Sequence, residues 1–425
     1  MGITATNVSH AVSNHYAYKD IYEQYVVNAS FLWVLRSVVL EQPHYYPDDM
    51  RQLEQRIEAQ LDGLMTSVDL GWQVCEEALE LQEPGEVFTA MVVALRSQDS
   101  AKIQTAVEAG LGVKPALPGL VSAMGWLSEN IADTWTQRFL RSKEIKYKYL
   151  GIASCSIRRQ DLGDILTNIL QREDCRQDEM LYARALRLAG ELRRHDCLPL
   201  LNNVLNAESD AVRFWANWSA TLLGSQTNAQ VIKSFVMQSG PYQALAIQLA
   251  FRVLSVEKAR EWISALAKDE AQIRAAIKAT GVLGDPHAVN WLIGKMRELS
   301  VAKLAAEAFS FITGINLEEY QLAVEETEGS PAIPNDDPTD GNVELDEDEN
   351  LPYPDVGKVA AFWRKSSQNF TPGQRYFMGK PVSPEVLKHT LAHGSQRQRH
   401  SAALELALSD SHAPLFNTRA RVVNL

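Results

Sequence analysis

The chain has 425 residues, a hydrophobic content of 46 % and a formal net charge of −12. This length predicts more than one folding unit, and the hydrophobic content is ample for buried cores. The acidic balance argues against nucleic acid as a ligand, because phosphate binding requires a basic surface. Four cysteines without CxxC spacing and the lack of an apolar run of membrane-spanning length predict a cytoplasmic protein without disulfides or membrane contact.

Residues 1–111 have the pattern of an N-terminal helical region. Asp48 and Asp49 precede an apolar series at helical spacing, which is typical of capping groups at the start of a helix. Similar helical patterns continue through GWQVCEEALEL and EVFTAMVVALRSQD. We therefore expect several helices before the first recognisable repeat.

The stretch AQIRAAIKATGVLGDPHAVNWLI (271–293) predicts a helical hairpin. Gly284 suits the left-handed position just after a helix end. Asp285 can cap the following helix through its carboxylate, and Pro286 fits the first helical position, where no N–H is needed. Apolar residues on both sides of this turn fall at helical spacing, so each helix has one face to bury.

Related phrases recur between residues 112 and 320. Their turn positions are separated by 34, 31, 29 and 30 residues and are occupied by Gly190, Gly224, Ser255, Gly284 and Gly314. Repeats of this length with two helices each are typical of an α-solenoid, in which stacked neighbours supply the core. The sequence therefore predicts an all-α fold with a solenoid of HEAT-like hairpins over 112–320.

The composition changes after the repeats. Residues 325–350 contain many acidic residues and several prolines but no Lys or Arg, so we expect an acidic flexible linker at 321–350. A C-terminal helical segment is predicted for 351–425. The chain is thus expected to have four parts: 1–111, 112–320, 321–350 and 351–425.

Several phrases carry a family resemblance. LGDPHAVNWLI, SDAVRFWANWSATLLG and QRQRHSAALELAL resemble HEAT repeats of the phycobilin-lyase-like kind. Together with FLWVLRSVVLEQPHY, LPYPD, GQRYFMGKPVS and APLFNTRA, they are similar to an uncharacterised proteobacterial HEAT-repeat family often encoded near type VI secretion genes. The resemblance covers nearly the full length. It implies a bacterial, cytoplasmic interaction protein and supplies no catalytic residue.

Two arginine pairs are candidate partner-binding residues. Arg158-Arg159 and Arg193-Arg194 follow equivalent predicted turns. One interpretation is an internal ladder, in which an Asp of one repeat pairs with an Arg of the next. The other is a guanidinium strip that binds an acidic partner through bidentate contacts. In that case, one option for the partner is the chain's own acidic linker.

Three aromatic residues beside the linker are further candidates. Trp363, Tyr376 and Phe377 would be anchors for a partner if they are exposed. We find no motif for a catalytic, cofactor-binding or metal-binding site, and His389, His393 and His400 lack an evident carboxylate partner for a metal.

The sequence therefore predicts a non-enzymatic scaffold for protein–protein interaction, as an adaptor or chaperone for a type VI secretion effector. One alternative is an immunity protein that neutralises an effector toxin, for which an acidic surface suits a basic toxin. An alternative of another class is a HEAT-repeat enzyme such as a lyase or a DNA glycosylase. For a glycosylase the basic stretch RFLRSKEIKYKYLG (138–151) would be the candidate surface.

Overall fold

The computed structural model describes residues 6–225, 229–324, 347–410 and 414–422, with side chains from residue 18 onward apart from those of Ala229 and Gln230. Almost all regular structure in these ranges is helical, as the sequence predicts, so the protein is all-α. The two strands, β1 (Tyr376–Phe377) and β2 (Lys380–Pro381), have two residues each and form an antiparallel pair. Within these ranges, no helix is both long enough and apolar enough to span a membrane.

The first half of the chain forms eleven helices in its described part. Their bounds are α1 Thr6–Val39, α2 Pro47–Met65, α3 Val68–Ala78, α4 Pro84–Ser97, α5 Ser100–Gly112, α6 Leu117–Trp126, α7 Glu129–Arg141, α8 Ile145–Arg158, α9 Asp164–Gln171, α10 Glu173–Gln177 and α11 Glu179–Glu191. Short 3₁₀ turns occupy Leu79–Leu81 and Lys114–Ala116.

The helices that follow are shorter on average. Their bounds are α12 Leu198–Asn202, α13 Asp210–Leu222, α14 Ala229–Met237, α15 Gln243–Val253, α16 Val256–Leu266, α17 Ile273–Leu283, α18 Val289–Lys295, α19 Ala302–Thr313, α20 Val356–Ser366, α21 Pro384–His393 and α22 Gln396–Ser409. Further 3₁₀ turns occupy His195–Cys197, Glu270–Gln272, Pro286–Ala288 and Ser367–Asn369.

The chain divides into two compact units. Unit 1 comprises residues 1–40, 47–188 and 419–425, and unit 2 comprises residues 41–46 and 189–418. In unit 1, α1 packs against α2, α3 and α4, and α7 packs against α8. In unit 2, α15, α17 and α19 pack in sequence, and α22 packs against α15. The division at residue 188 falls inside the predicted repeat region, and the predicted four-part organisation stays a prediction.

Three helices, α8, α11 and α13, end in the same local structure. At the ends of α8, α11 and α13, the left-handed position is held by Arg159, Arg193 and Gly224, with φ of 53°, 59° and 87°. In each case the N–H of that residue donates to the carbonyl three residues back, and the next N–H donates five residues back. This is the Schellman motif, which satisfies carbonyls that a helix end leaves without partners.

The ends of α17 and α19 use a simpler motif. Gly284 and Gly314, with φ of 74° and 71°, each donate only to the carbonyl four residues back. A later segment covers both turns: Tyr376 N–H donates to Gly284 O at 2.8 Å, and Met378 passes close to Gly314. A Cβ on either glycine would lie within 2.5 Å of the main chain of that segment. Glycine is therefore required here by close approach as well as by φ.

Two predicted turn positions differ in the structure. Gly190 lies inside α11 and packs closely against Ser219, which leaves no room for a Cβ. The turn itself comes three residues later, at Arg193. Ser255 caps the start of α16 through a bond from Lys258 N–H at 3.3 Å. The predictions for Gly224, Gly284 and Gly314 are confirmed. The stacking of all hairpins into one solenoid stays a prediction.

Candidate protein-binding surfaces

Arg158 and Arg159, two of the predicted partner-binding residues, lie at the end of α8 in unit 1 and donate hydrogen bonds to main-chain carbonyls. Arg158 donates through Nη1 to Leu127 O at 3.0 Å, and its side chain is only 11 % exposed. Arg159 occupies the left-handed position and donates to Ser156 O. The Arg158 guanidinium therefore contacts the residue that follows α6, and the Arg159 guanidinium contacts the last turn of its own helix.

The other two arginines lie in unit 2. Arg193 is buried and donates through Nη2 to Asp410 O at 2.9 Å, and burial lowers the pKa of its guanidinium despite the opposing effect of Asp410. Arg194 makes a bidentate contact with Asp196 of its own turn, at 2.8 and 2.7 Å. The structure thus places Arg193, and not Arg194, at the position equivalent to Arg159, because φ is positive at both.

These contacts bear on both interpretations of the arginines. The Arg194–Asp196 pair is formed within one turn, and Arg213 pairs with Asp210 of its own helix. An ion pair between consecutive hairpins does occur at another position: Arg260 Nη2 of α16 lies 2.7 Å from Asp285 Oδ2, after α17. A ladder contact therefore exists in unit 2, but it uses an arginine that the repeat comparison did not select.

The three aromatic candidates are buried. Trp363 packs in the core that contains Phe309, and Tyr376 belongs to the same core. Phe377 packs beside Phe311 in a smaller cluster. Each is less than a tenth exposed, so the condition of exposure under which they would anchor a partner is not met. Tyr376 and Phe377 are buried because their segment lies along the ends of α17 and α19, whereas Trp363 belongs to α20, which packs against α18.

A row of exposed apolar side chains lies on α1 in unit 1. Val27, Phe31 and Val34 are 59 %, 64 % and 42 % exposed. Their spacing of four and three residues places them on one helix face. The opposite side of α1 is buried, with Val26, Ala29 and Trp33 in the core. The exposed residues, which we call the α1 row, form an apolar strip of the kind that protein partners cover.

Unit 1 also contains a buried ion pair that is completed by the end of the chain. Arg36 Nε lies 2.8 Å from Glu54 Oε1, and the two side chains are 6 % and 0 % exposed. Glu54 Oε2 accepts a hydrogen bond from the Val422 N–H at 2.8 Å, and Arg36 donates to Arg419 O at 3.0 Å. Residues 419–422 therefore supply main-chain partners to two buried charges.

A cleft of about 270 Å³ lies near this pair in unit 1. Its charged lining groups contact one another: Arg421 Nη2 is 3.3 Å from Glu58 Oε2, and Arg96 also pairs with Glu58. Trp126 donates to Glu58 at 2.8 Å and stacks under Arg421 at 4.2 Å. Because one carboxylate joins these groups, the cleft is best described as a structural cluster.

In unit 2, basic side chains hold residues 347–350. Arg274 and Lys278 of α17 contact the carboxylates of Asp348 and Glu347 at 2.7 and 2.5 Å. Lys303 of α19 donates to Glu349 O at 3.0 Å. This end of the predicted acidic linker is therefore bound to the helices, and not to the four predicted arginines. The remainder of the acidic stretch, 325–346, lies outside the described residues.

Sequence reasoning missed this acidic contact, although part of its signal was present. Arg274 and Lys278 are four residues apart on a predicted helix, so they share one face. The acidic run EDEN lies 74 residues further on, and no periodic pattern connects the two. The α1 row had a weaker signal, because apolar residues of FLWVLRSVV fall on both the buried and the exposed face of the helix and do not reveal which face stays uncovered.

Comparison with protein-family models, curated proteins and solved structures returned no match. Within the described residues, no three or more His, Cys, Asp or Glu side chains are grouped so that they could hold a metal ion. The arguments for function therefore rest on the surfaces themselves.

Proposed function

We propose that the protein is a non-enzymatic scaffold that binds another protein through the α1 row. The observation that carries this proposal is the exposure of Val27, Phe31 and Val34, at 42–64 %, on one face of a long helix. Exposed apolar strips of this kind mark protein–protein contacts, and a large aromatic side chain near the centre is typical of an energetic anchor. From the family resemblance, the partner is a type VI secretion effector and the role that of an adaptor or chaperone.

The α1 row can be tested with two variants of equal charge. Phe31→Glu places a carboxylate in the row, whereas Gln55→Glu adds the same charge to an exposed polar position of another helix, α2. Each variant is co-expressed with the effector encoded beside the gene, and co-purification is measured. We expect Phe31→Glu to lose the effector and Gln55→Glu to retain it, with both melting as the wild type does. Retention by Phe31→Glu would refute the proposal.

The net charge of −12 favours immunity as a second candidate function, because an acidic protein suits a basic toxin. The two roles differ in what they do to toxicity. An immunity protein rescues cells in which the effector is expressed alone. An adaptor leaves toxicity intact, but its deletion stops secretion of that effector while other effectors still leave the cell.

A further inference from the structure

The basic surface of unit 2 is formed by three side chains from two neighbouring helices. Arg274 and Lys278 lie one turn apart on α17, and Lys303 lies on α19, which packs against α17. We call these three residues the basic row. All three contact the turn formed by residues 347–350, and Arg397 of α22 donates to Glu347 O at 2.5 Å from the side.

The contacts use chemistry that any acidic turn offers. Two of them go to the carboxylates of Glu347 and Asp348, and two go to main-chain carbonyls of Glu347 and Glu349. Carbonyl contacts do not depend on the side chain, so the only sequence requirement is for two adjacent carboxylates. The basic row thus recognises an acidic pair presented on a turn.

The contact is only partly open to solvent. The Glu347 side chain is 61 % exposed, whereas the Asp348 side chain is 8 % exposed and lies 2.7 Å from Arg274 Nη1. The exposed pair contributes about 0–1 kcal/mol and is screened by salt, but the buried Asp348 contact must be replaced when the turn leaves. A partner that presents its own acidic pair supplies that replacement.

The residues that follow the turn are anchored separately. Val324 N–H donates to Tyr353 O at 2.9 Å, and Asp355 N–H donates to Leu322 O at 2.7 Å. Leu351 is buried immediately after the turn. These contacts do not involve the basic row, so the acidic turn can be displaced while residues 351–355 stay bound to unit 2.

We propose that the basic row is a binding surface for an acidic turn of a protein partner, and that Glu347–Glu349 occupies it in the free protein. The partner competes with a resident segment of the same chemistry. The resident segment has a high effective concentration because it is tethered, so it excludes weak acidic peptides and yields only to a partner with additional contacts. This surface is independent of the α1 row, and either proposal can fail without the other.

The probe is the synthetic peptide EDENLPYPD, which reproduces residues 347–355 and carries a fluorophore at its N-terminus. Its binding to the full-length protein is measured by fluorescence anisotropy. In the double variant Glu347→Gln, Asp348→Asn, the resident turn loses the two carboxylates that contact Arg274 and Lys278 and keeps only its main-chain contacts, so it competes less well for the surface. If the resident turn fills the site about nine-tenths of the time, its removal makes peptide binding roughly tenfold tighter than in the wild type.

Three controls define the result. The peptide QNQNLPYPD lacks the turn carboxylates and is expected not to bind. Adding Lys278→Glu to the double variant is expected to abolish binding of the acidic peptide, because a carboxylate then faces the acidic pair. Phe31→Glu on the same background is expected to leave binding unchanged. If the double variant melts at a lower temperature than the wild type, the single variant Glu347→Gln, at an exposed position, replaces it.

The proposal is overturned by any of three results. The first is equal affinity of the wild type and the opened variant for the acidic peptide, which would mean that the resident turn does not compete. The second is no binding to either protein. The third is equal binding of the acidic and the neutral peptide, which would show that the carboxylates are not recognised.

Discussion

Gly284 and Tyr376 lie with their main chains in direct contact: Tyr376 N–H donates to Gly284 O at 2.8 Å, and a Cβ on Gly284 would be 2.1 Å from Tyr376 O. The contact joins the end of α17 to a segment about 90 residues later in the chain. Asp285 adds a second link, since its Oδ1 accepts from Gly373 N–H at 2.9 Å. The turn LGDP therefore ends one helix, caps the next and binds a distant segment.

Gly284→Ala should destabilise unit 2 by about 3 kcal/mol or more, because it adds left-handed strain to a main-chain clash that cannot relax locally. The matched control is Gly294→Ala in α18, where a Cβ would meet nothing within 4 Å. That control should be neutral or slightly stabilising. Urea unfolding of both variants checks the prediction, and equal midpoints would contradict it.

The buried carboxylate of Glu405 is the next test. It accepts two hydrogen bonds from Arg375, at 2.8 and 2.7 Å, and lies 3.1 Å from Arg252 Nε. Burial lowers the pKa of Arg252 to about 10, with Glu405 opposing the effect. Glu405→Ala leaves two guanidinium groups without their shared anion and should cost about 3–5 kcal/mol in the free energy of unfolding.

A matched exposed pair provides the control for Glu405. Lys258 and Glu261 lie 2.6 Å apart with side chains 53 % and 64 % exposed. Glu261→Ala should therefore change the free energy of unfolding by no more than about 0.5 kcal/mol. A loss for Glu405→Ala as small as that for Glu261→Ala would show that the buried network does not stabilise unit 2.

The contact between Glu347 and Lys278 predicts a pH dependence. Burial acts to raise the pKa of Glu347, but the hydrogen bond and charge of Lys278 lower it overall, below its ordinary value of 4.5. The contact therefore contributes stability above about pH 4.5, and this contribution is lost as the pH falls through the lowered pKa. Lys278→Met should raise the midpoint of the Glu347 carboxyl, measured by carbon NMR.

Lys303→Met is the control for this titration, because Lys303 contacts the main chain of residue 349 and not the Glu347 carboxylate. Its effect on the Glu347 midpoint should be smaller than that of Lys278→Met. A midpoint that is the same in the wild type and in Lys278→Met would contradict the contact.

The end of the chain gives a fourth prediction. A chain shortened after Thr418 loses the Val422 N–H that Glu54 accepts and the Arg419 carbonyl that Arg36 contacts. Hydrogen bonds to charged groups contribute about 1.5–3 kcal/mol each, so unit 1 should lose at least about 3 kcal/mol. A chain shortened after Val422 retains both partners and is the control. Identical thermal unfolding of the two chains would contradict the prediction.

The local features of the fold were predictable because their chemistry is local. Positive φ selects glycine at residues 224, 284 and 314, and the Asp285-Pro286 pair specifies a helix start. Arg159 and Arg193 were not recognised as left-handed residues, since arginine seldom adopts positive φ. Three-dimensional hydrogen bonding, and not residue type, reveals that they are equivalent to the later glycines.

The candidate surfaces were predicted less well because they depend on contacts between distant residues. Trp363, Tyr376 and Phe377 follow an acidic stretch, and the sequence around them did not reveal that helices of unit 2 bury them. In the same way, the acidic run at 347–349 suggested a free segment until its contacts with α17 and α19 were known. The burial of these aromatic residues and the contacts of the acidic run depend on tertiary packing, which no short sequence pattern encodes.

The contribution of Val422 to unit 1 has a consequence for biosynthesis. A ribosome must translate all of residues 189–418 after it has finished the 47–188 segment, and only then does it deliver the N–H that completes Glu54. Until then, the Glu54 carboxylate in the nascent chain has Arg36 as its main partner. Domain-by-domain folding from the N-terminus is the usual order during synthesis. Here unit 1 is completed only after residues 189–418 have been translated, so translation that stops before residue 419 leaves Glu54 without the Val422 N–H.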